Sequence, residues 1–323
     1  MIRDALGPSP LDENVRALAK ILSSRSDPAS RESRAVNWAV EAFKRAGADQ
    51  VRTERLGPPP QTEDLVAEVR GRDYPKDYVL IAAQLDSSGT YPLATAENAA
   101  VLIDAVRVIH ASGNLPRRSI RFVLFGTGAE ASGGTSASLE GVWAYVRQHR
   151  AEIDRIAAAV VVDAAAGPAD GYSLGNRPDM IANIRSALEP LRSLGIRDFT
   201  QGLSLRSEVT PFWLEGVLTL VATFQEDATG AGAHARADRN AGSLSPSELE
   251  QLKRGVAVAA LTAYALADAE SRIGPRQSHS QVQQAIQSLG IEPKLKSTGL
   301  WDEWQKMQAH TAPDTRKRGT SPH

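Results

Sequence analysis

The feature that most constrains this chain is an alternation. Short, strongly apolar runs at residues 78–83, 120–125 (broken only by Arg121) and 158–162 are separated by longer stretches with helical spacing. Apolar runs of that length, bounded by turn signals, suit strands buried on both faces. Such strands alternating with helices predict an α/β fold with a largely parallel sheet covered on both sides. In sheets of this kind, sites form beyond the carboxyl ends of the strands. Polar residues at those ends are therefore the first candidates for function.

The remaining spacing fills in the frame. Residues 12–22 read as a helix with Val15, Leu18, Ile21 and Leu22 on one stripe, and 31–46 as a second helix ended by Gly47. The Gly-Pro-Pro-Pro run at 57–60 reads as a loop, and 65–69 as a strand. Helices are expected at 98–110, 139–153, 180–194 and 247–268, and a further strand at 218–222. Ser245 and Glu248 have the spacing of a capping box for the last of those helices. Residues 1–270 read as one α/β domain and 271–310 as a C-terminal extension. Its docking helix, at 297–308, carries Leu300, Trp301, Trp304 and Met307. The polar tail, 311–323, is expected to be disordered.

Bulk properties narrow the chemistry. The formal net charge is -1 over 323 residues, so no global field recruits nucleic acid. There is no cysteine, so any metal must be held by His and carboxylates. No apolar run approaches the ~20 residues of a membrane span. The first residues lack the apolar core of a secretory signal. Localisation stays open between a protein kept inside and one whose leader was removed.

Several residues fall where a site should form. Gln84 and Asp86 follow one apolar run two residues apart. Glu97-Asn98 is expected to open the next helix, where a carboxylate meets the favourable end of the helix dipole. Glu130 is the acid of a Gly-rich loop, 126–134. No Lys follows those glycines, so the spacing is not that of a phosphate loop. Asp163 ends the run at 158–162. His234, in a loop of small residues, is the best ligand candidate among six histidines. Each has a plainer reading: a solvated loop carboxylate, an N-terminal helix acid, a capping group, a solvated His.

Together these segments resemble the di-zinc exopeptidases of the aminopeptidase, glutamate carboxypeptidase and glutaminyl cyclase group. The resemblance runs from about Asn14 to Trp304 and includes stretches such as 114–125, 143–146 and 207–212. It implies a three-layer α/β/α fold with a mixed, mostly parallel central sheet. It implies a pair of zinc ions bridged by a carboxylate, with a separate carboxylate as general base. Several positions depart from that pattern. Gln84 stands where the first His ligand belongs, with Asp86 matching its helper. Glu97 matches a bridging Asp, one methylene longer. Ala129 stands at the general-base position, and Glu130 matches the ligand after it. Asp163 matches the next ligand. His234 matches the last, preceded by Ala233 rather than Tyr.

The resemblance thus implies a degraded centre. One metal position would use Gln84, Glu97 and Asp163 and has lost its imidazole. The other would use Glu97, Glu130 and His234. Zinc is expected at one ion or none. General-base catalysis is worth ~10²–10⁴-fold, and Ala129 cannot supply it. The expectation leans toward a catalytically inactive or strongly impaired exopeptidase-like protein that binds a peptide, a small aminoacyl ligand or a partner. The alternative is a residual single-zinc metallopeptidase or aminoacyl-transferring hydrolase acting on peptide N-termini, with Asp86 or Asp163 standing in as base.

Overall fold

The computed structural model describes residues 1–56, 62–86, 88, 90–126, 139–205, 207–224 and 244–309. Three helices come first: α1 (Ile2–Leu6), α2 (Leu11–Leu22) and α3 (Pro28–Ala46). Strands β1 (Gln50–Leu56), β2 (Thr62–Val69) and β3 (Tyr74–Leu85) follow, then α4 (Pro92–Ala111) and β4 (Arg118–Gly126). Next are α5 (Glu140–Gln148), β5 (Ile156–Val161), β6 (Ala169–Ser173), α6 (Ile181–Ala187), β7 (Asp198–Thr200), α7 (Thr210–Leu214) and β8 (Thr219–Phe224). The long helix α8 (Pro246–Asp268) precedes α9 (His279–Ser288), α10 (Glu292–Ser297) and α11 (Leu300–Ala309).

The strands form one eight-stranded sheet in the order β1-β2-β4-β3-β5-β8-β6-β7. The centre is parallel: β3 pairs with β4 and β5, and β5 with β8. Antiparallel pairs flank it, β1 with β2, β2 with β4, and β6 with β8. β3 lies between two parallel neighbours, which is why its residues 78–83 are apolar without alternation. Its side chains still divide by parity. Val79, Ile81 and Ala83 join a core with α2, α3, α4 and α8. Tyr78, Leu80 and Ala82 join a second core with Trp143, Phe212 and Trp304. The sheet is the middle of three layers, and the expected α/β/α fold is present.

The C-terminal segment belongs to the second core. Val282, Ile286, Leu295, Leu300, Trp304 and Met307 are all buried there. Helix α9 begins with a capping box, Ser278 with Gln281, and α8 with the expected one, Ser245 with Glu248. No helix among the described residues is long and apolar enough to cross a membrane. The Pro-rich run at 57–60 and the tail from 311 lie outside the described residues.

Three expected boundaries change. The helix expected at 98–110 begins at Pro92, so Glu97 and Asn98 sit in its second turn. Pro at the first helical position needs no N–H partner there, which places the true start. The helix expected at 139–153 ends at Gln148 and continues as a 3₁₀ segment, Arg150–Arg155. The helix expected at 180–194 splits into α6 and a 3₁₀ segment, Glu189–Leu194, because Pro190 removes an N–H from the α ladder.

Candidate functional site at the strand ends

Backbone pairing brings two of the expected residues side by side. Ala82 of β3 pairs with Val161 of β5, and the Val162 N–H donates to the Ala82 carbonyl at 3.0 Å. Gln84 and Asp163 each stand two residues beyond that pair. On the other flank Gln84 pairs with Phe125, and Leu85 with Gly126, the last residue of β4. Ala129 and Glu130 lie just past Gly126, and Ala233 and His234 beyond β8, all outside the described residues.

Glu97 is 3% exposed on a helix buried almost all round. Its expected place at a helix N-terminus is corrected: five residues of α4 precede it, so the dipole does not account for its charge there. Asn98, beside it, ties α4 to the end of β5. Its Nδ2 donates to Asp163 Oδ1 at 3.2 Å, and its Oδ1 accepts the Ala165 N–H at 3.0 Å. The same amide thus positions Asp163 and satisfies the turn that follows.

Asp86 forms a local turn. Its Oδ1 accepts the Ser88 N–H at 2.8 Å, and its Oδ2 the Ser88 hydroxyl at 2.9 Å. Side chains of this kind commonly cap their own backbone two residues on. Both Asp86 oxygens thus accept hydrogen bonds within the β3–α4 connection.

One residue of the site was missed. Burial, with a smaller push from the charge of Asp163, raises the Glu208 carboxyl to about 7. Next to it, Ser207 Oγ is buried without a hydrogen-bond partner among the described residues. No apolar run precedes this pair, so strand-end logic does not find it; the cue was a Ser-Glu dipeptide just before α7. On another side of Asp163 lies a cavity of about 30 Å³, lined among others by Ala164, Tyr172, Ala222, Phe224 and Arg254. That is room for a water or two.

Zinc prefers imidazole, thiolate and carboxylate, and Gln84 offers a neutral amide at this edge, a poorer donor. Among the described residues no three His, Asp or Glu side chains converge as a metal-holding group. The second set, Glu97 with Glu130 and His234, is chemically suited to one zinc. Of these, Glu97 alone lies within the described residues.

A mixed, mostly parallel eight-stranded sheet between two helical layers defines the class of this protein as three-layer α/β. Residues 64–260 match Peptidase family M28, and the chain belongs to that family. Its sequence is 25% identical over 215 residues to rat Carboxypeptidase Q, covering 64% of this chain and 42% of that protein. The chain thus spans less than half the length of that relative. Among solved structures, the fold is similar to a Peptidase M28 precursor from Shewanella amazonensis. The TM-score is 0.67 at 14% identity, covering 86% of this chain and 97% of that one. It is also similar to the LapA aminopeptidase of Legionella pneumophila, at 0.55 and 15% identity, covering 80% and 73%. A third similar structure is the Porphyromonas gingivalis glutaminyl cyclase, at 0.52 and 14% identity, covering 76% and 96%.

Proposed function

We propose that this chain keeps the M28 fold as a peptide-binding protein whose two-metal peptidase centre is lost. The observation that carries this is the end of β3. Gln84 supplies an amide where the resemblance has an imidazole, and Asp86, its helper in the resemblance, accepts hydrogen bonds from Ser88 with both oxygens. Ala129 at the base position adds to it. The family and the peptide-processing names of its relatives support a peptide, or a small aminoacyl compound, as ligand. Aminopeptidase and carboxypeptidase assays with added zinc should show no turnover above a buffer blank. Robust turnover that Glu130→Ala abolishes would overturn the proposal.

A second reading is favoured by Glu208. A carboxyl that titrates at about 7 beside Asp163 is suited to take and return a proton near neutral pH. In that reading the protein is a single-zinc hydrolase or aminoacyl transferase acting on peptide N-termini. Glu97, Glu130 and His234 would hold one ion, which would supply Lewis acidity when bound. Glu208 would hold the proton, and Asn98 would keep Asp163 in place. Metal content separates the two readings. Near-stoichiometric zinc released by His234→Ala, with turnover lost in Glu208→Gln, supports the second; zinc-free protein supports the first.

A further inference from the structure

At the opposite end of the sheet from Asp163 lies a cavity of about 610 Å³. Its volume is within the ~300–1,000 Å³ range of small-molecule sites. The 3₁₀ segment Arg150–Arg155, the end of α7 and the C-terminal helices wall it. At about 3.3 Å per residue, β5 alone puts roughly 17 Å between this cavity and the strand ends. It is therefore separate from the candidate centre.

The charges that line it are not evenly matched. Arg276 is fully engaged. Its Nη1 donates to Asp154 Oδ1 at 2.7 Å, its Nη2 to Glu215 Oε2 at 3.3 Å, and its Nε to the Glu215 carbonyl at 2.5 Å. Glu215 is only 4% exposed, and its other oxygen accepts from Gln308 Nε2 at 3.1 Å. Two carboxylates thus share one guanidinium. Asp154 keeps an oxygen without a partner among the described residues, on an exposed side chain. Arg150, also on the wall, has no carboxylate within ion-pair distance among the described residues; its Nη1 donates to the Met307 carbonyl. Docking the C-terminal helices accounts for Arg276, Glu215 and Gln308. It leaves the charge of Arg150 and the outer oxygen of Asp154 unused.

We propose that this cavity binds a zwitterion, a free amino acid or a dipeptide, with its carboxylate on Arg150 and its ammonium on Asp154. A guanidinium presents a fork of donors that matches a carboxylate, and Nε and Nη2 of Arg150 have no partner among the described residues. A simple anion would meet Asp154 and Glu215 as repulsion, and a simple cation would meet Arg150. Only a ligand with both charges matches both walls. The proposal does not depend on the state of the strand-end centre.

Titration calorimetry on the full chain tests it, with four probes: L-leucine, the dipeptide Leu-Gly, leucinamide and N-acetyl-L-leucine. L-leucine or Leu-Gly should bind saturably, and which of them binds tighter identifies the source. Leucinamide lacks the carboxylate and N-acetyl-L-leucine the ammonium. Each should bind about 10-fold more weakly or worse, because a site group is left unpaired. Arg150→Ala should weaken the preferred probe by a similar factor, and Asp163→Asn should leave it unchanged. If Arg150→Ala does not fold, the blocked probes on the natural chain and Asp154→Asn decide. The proposal is overturned if neither zwitterion binds, if the blocked probes bind as well, or if Asp163→Asn abolishes binding that Arg150→Ala spares.

Discussion

The two ends of the central sheet handle charge in opposite ways. At the amino ends of the strands, buried acids are paired with bases, and the charges left over lie on the exposed wall of the cavity there. Arg276 joins Asp154 to buried Glu215, Arg117 meets Asp73, and Arg72 meets Asp268. At the carboxyl ends, Glu208 responds to another acid, Asp163, and an amide, Asn98, holds Asp163 in place. Ion pairs at the first end fasten helices to the sheet. At the second, Glu208 is held where burial, and to a lesser degree the charge of Asp163, disfavour its ionised form, a cost to stability that folding alone does not call for. Residues held against stability are where function is sought in a fold.

Four changes would break or sharpen this contrast. The largest effect is expected from building the full donor set of the family resemblance at the carboxyl end. Gln84→His, Glu97→Asp and Ala129→Glu together should bring stoichiometric zinc and peptidase turnover. The base alone is worth about 10²–10⁴-fold. Metal analysis and dipeptide hydrolysis read the outcome, and a zinc-free triple variant would mean that the loop backbone has moved as well.

At the opposite end, Arg276→Ala should leave the Glu215 carboxylate buried with only Gln308 as partner. The expected cost is about 3 kcal/mol in denaturant unfolding. A loss below about 1 kcal/mol would place this pair among ordinary surface bridges.

Glu208→Gln should act in the other direction and with a pH signature. The folded carboxyl titrates at about 7 against an ordinary 4.5. Below 4.5 both states carry the proton, and the natural chain has its full stability relative to the variant. As pH rises from about 4.5 to 7 the unfolded chain ionises first, so the natural chain loses stability relative to Glu208→Gln. The gap should reach on the order of 3 kcal/mol. Parallel melting curves of the two proteins across that window would remove Glu208 from the candidate site. The smallest effect is expected from Asn98→Ala, about 1 kcal/mol, from loss of its bonds to Asp163 and to the Ala165 N–H.

Much of the frame was legible in the chain itself. The apolar runs marked β3, β4 and β5, because strands buried on both faces leave no place for polar residues. The Ser245–Glu248 box marked the start of α8. β1, with Arg52, Glu54 and Arg55, hid its strand character behind edge charges. β7 is three residues long, too short for any period. Helix α9 has only Val282 and Ile286 buried in a polar sequence, so its apolar stripe was too thin to read. The start of α4 was misplaced because Asn98 resembles a cap, whereas its amide is used between elements, on Asp163 and Ala165.

The sequence by itself determined the α/β alternation and the resemblance to the family, and it put an amide, Gln84, just past one apolar run and an alanine, Ala129, in the Gly-rich loop. Residue identity settles those, since no packing gives an amide the donor strength of an imidazole or a methyl group a proton to exchange. Tertiary structure decided which polar groups meet. It turned Asp86 onto Ser88, moved Glu97 into a buried helix interior, and brought Glu208 from 45 residues away to feel Asp163. Burial and through-space charge set how a carboxyl behaves, and both depend on neighbours that only folding assembles.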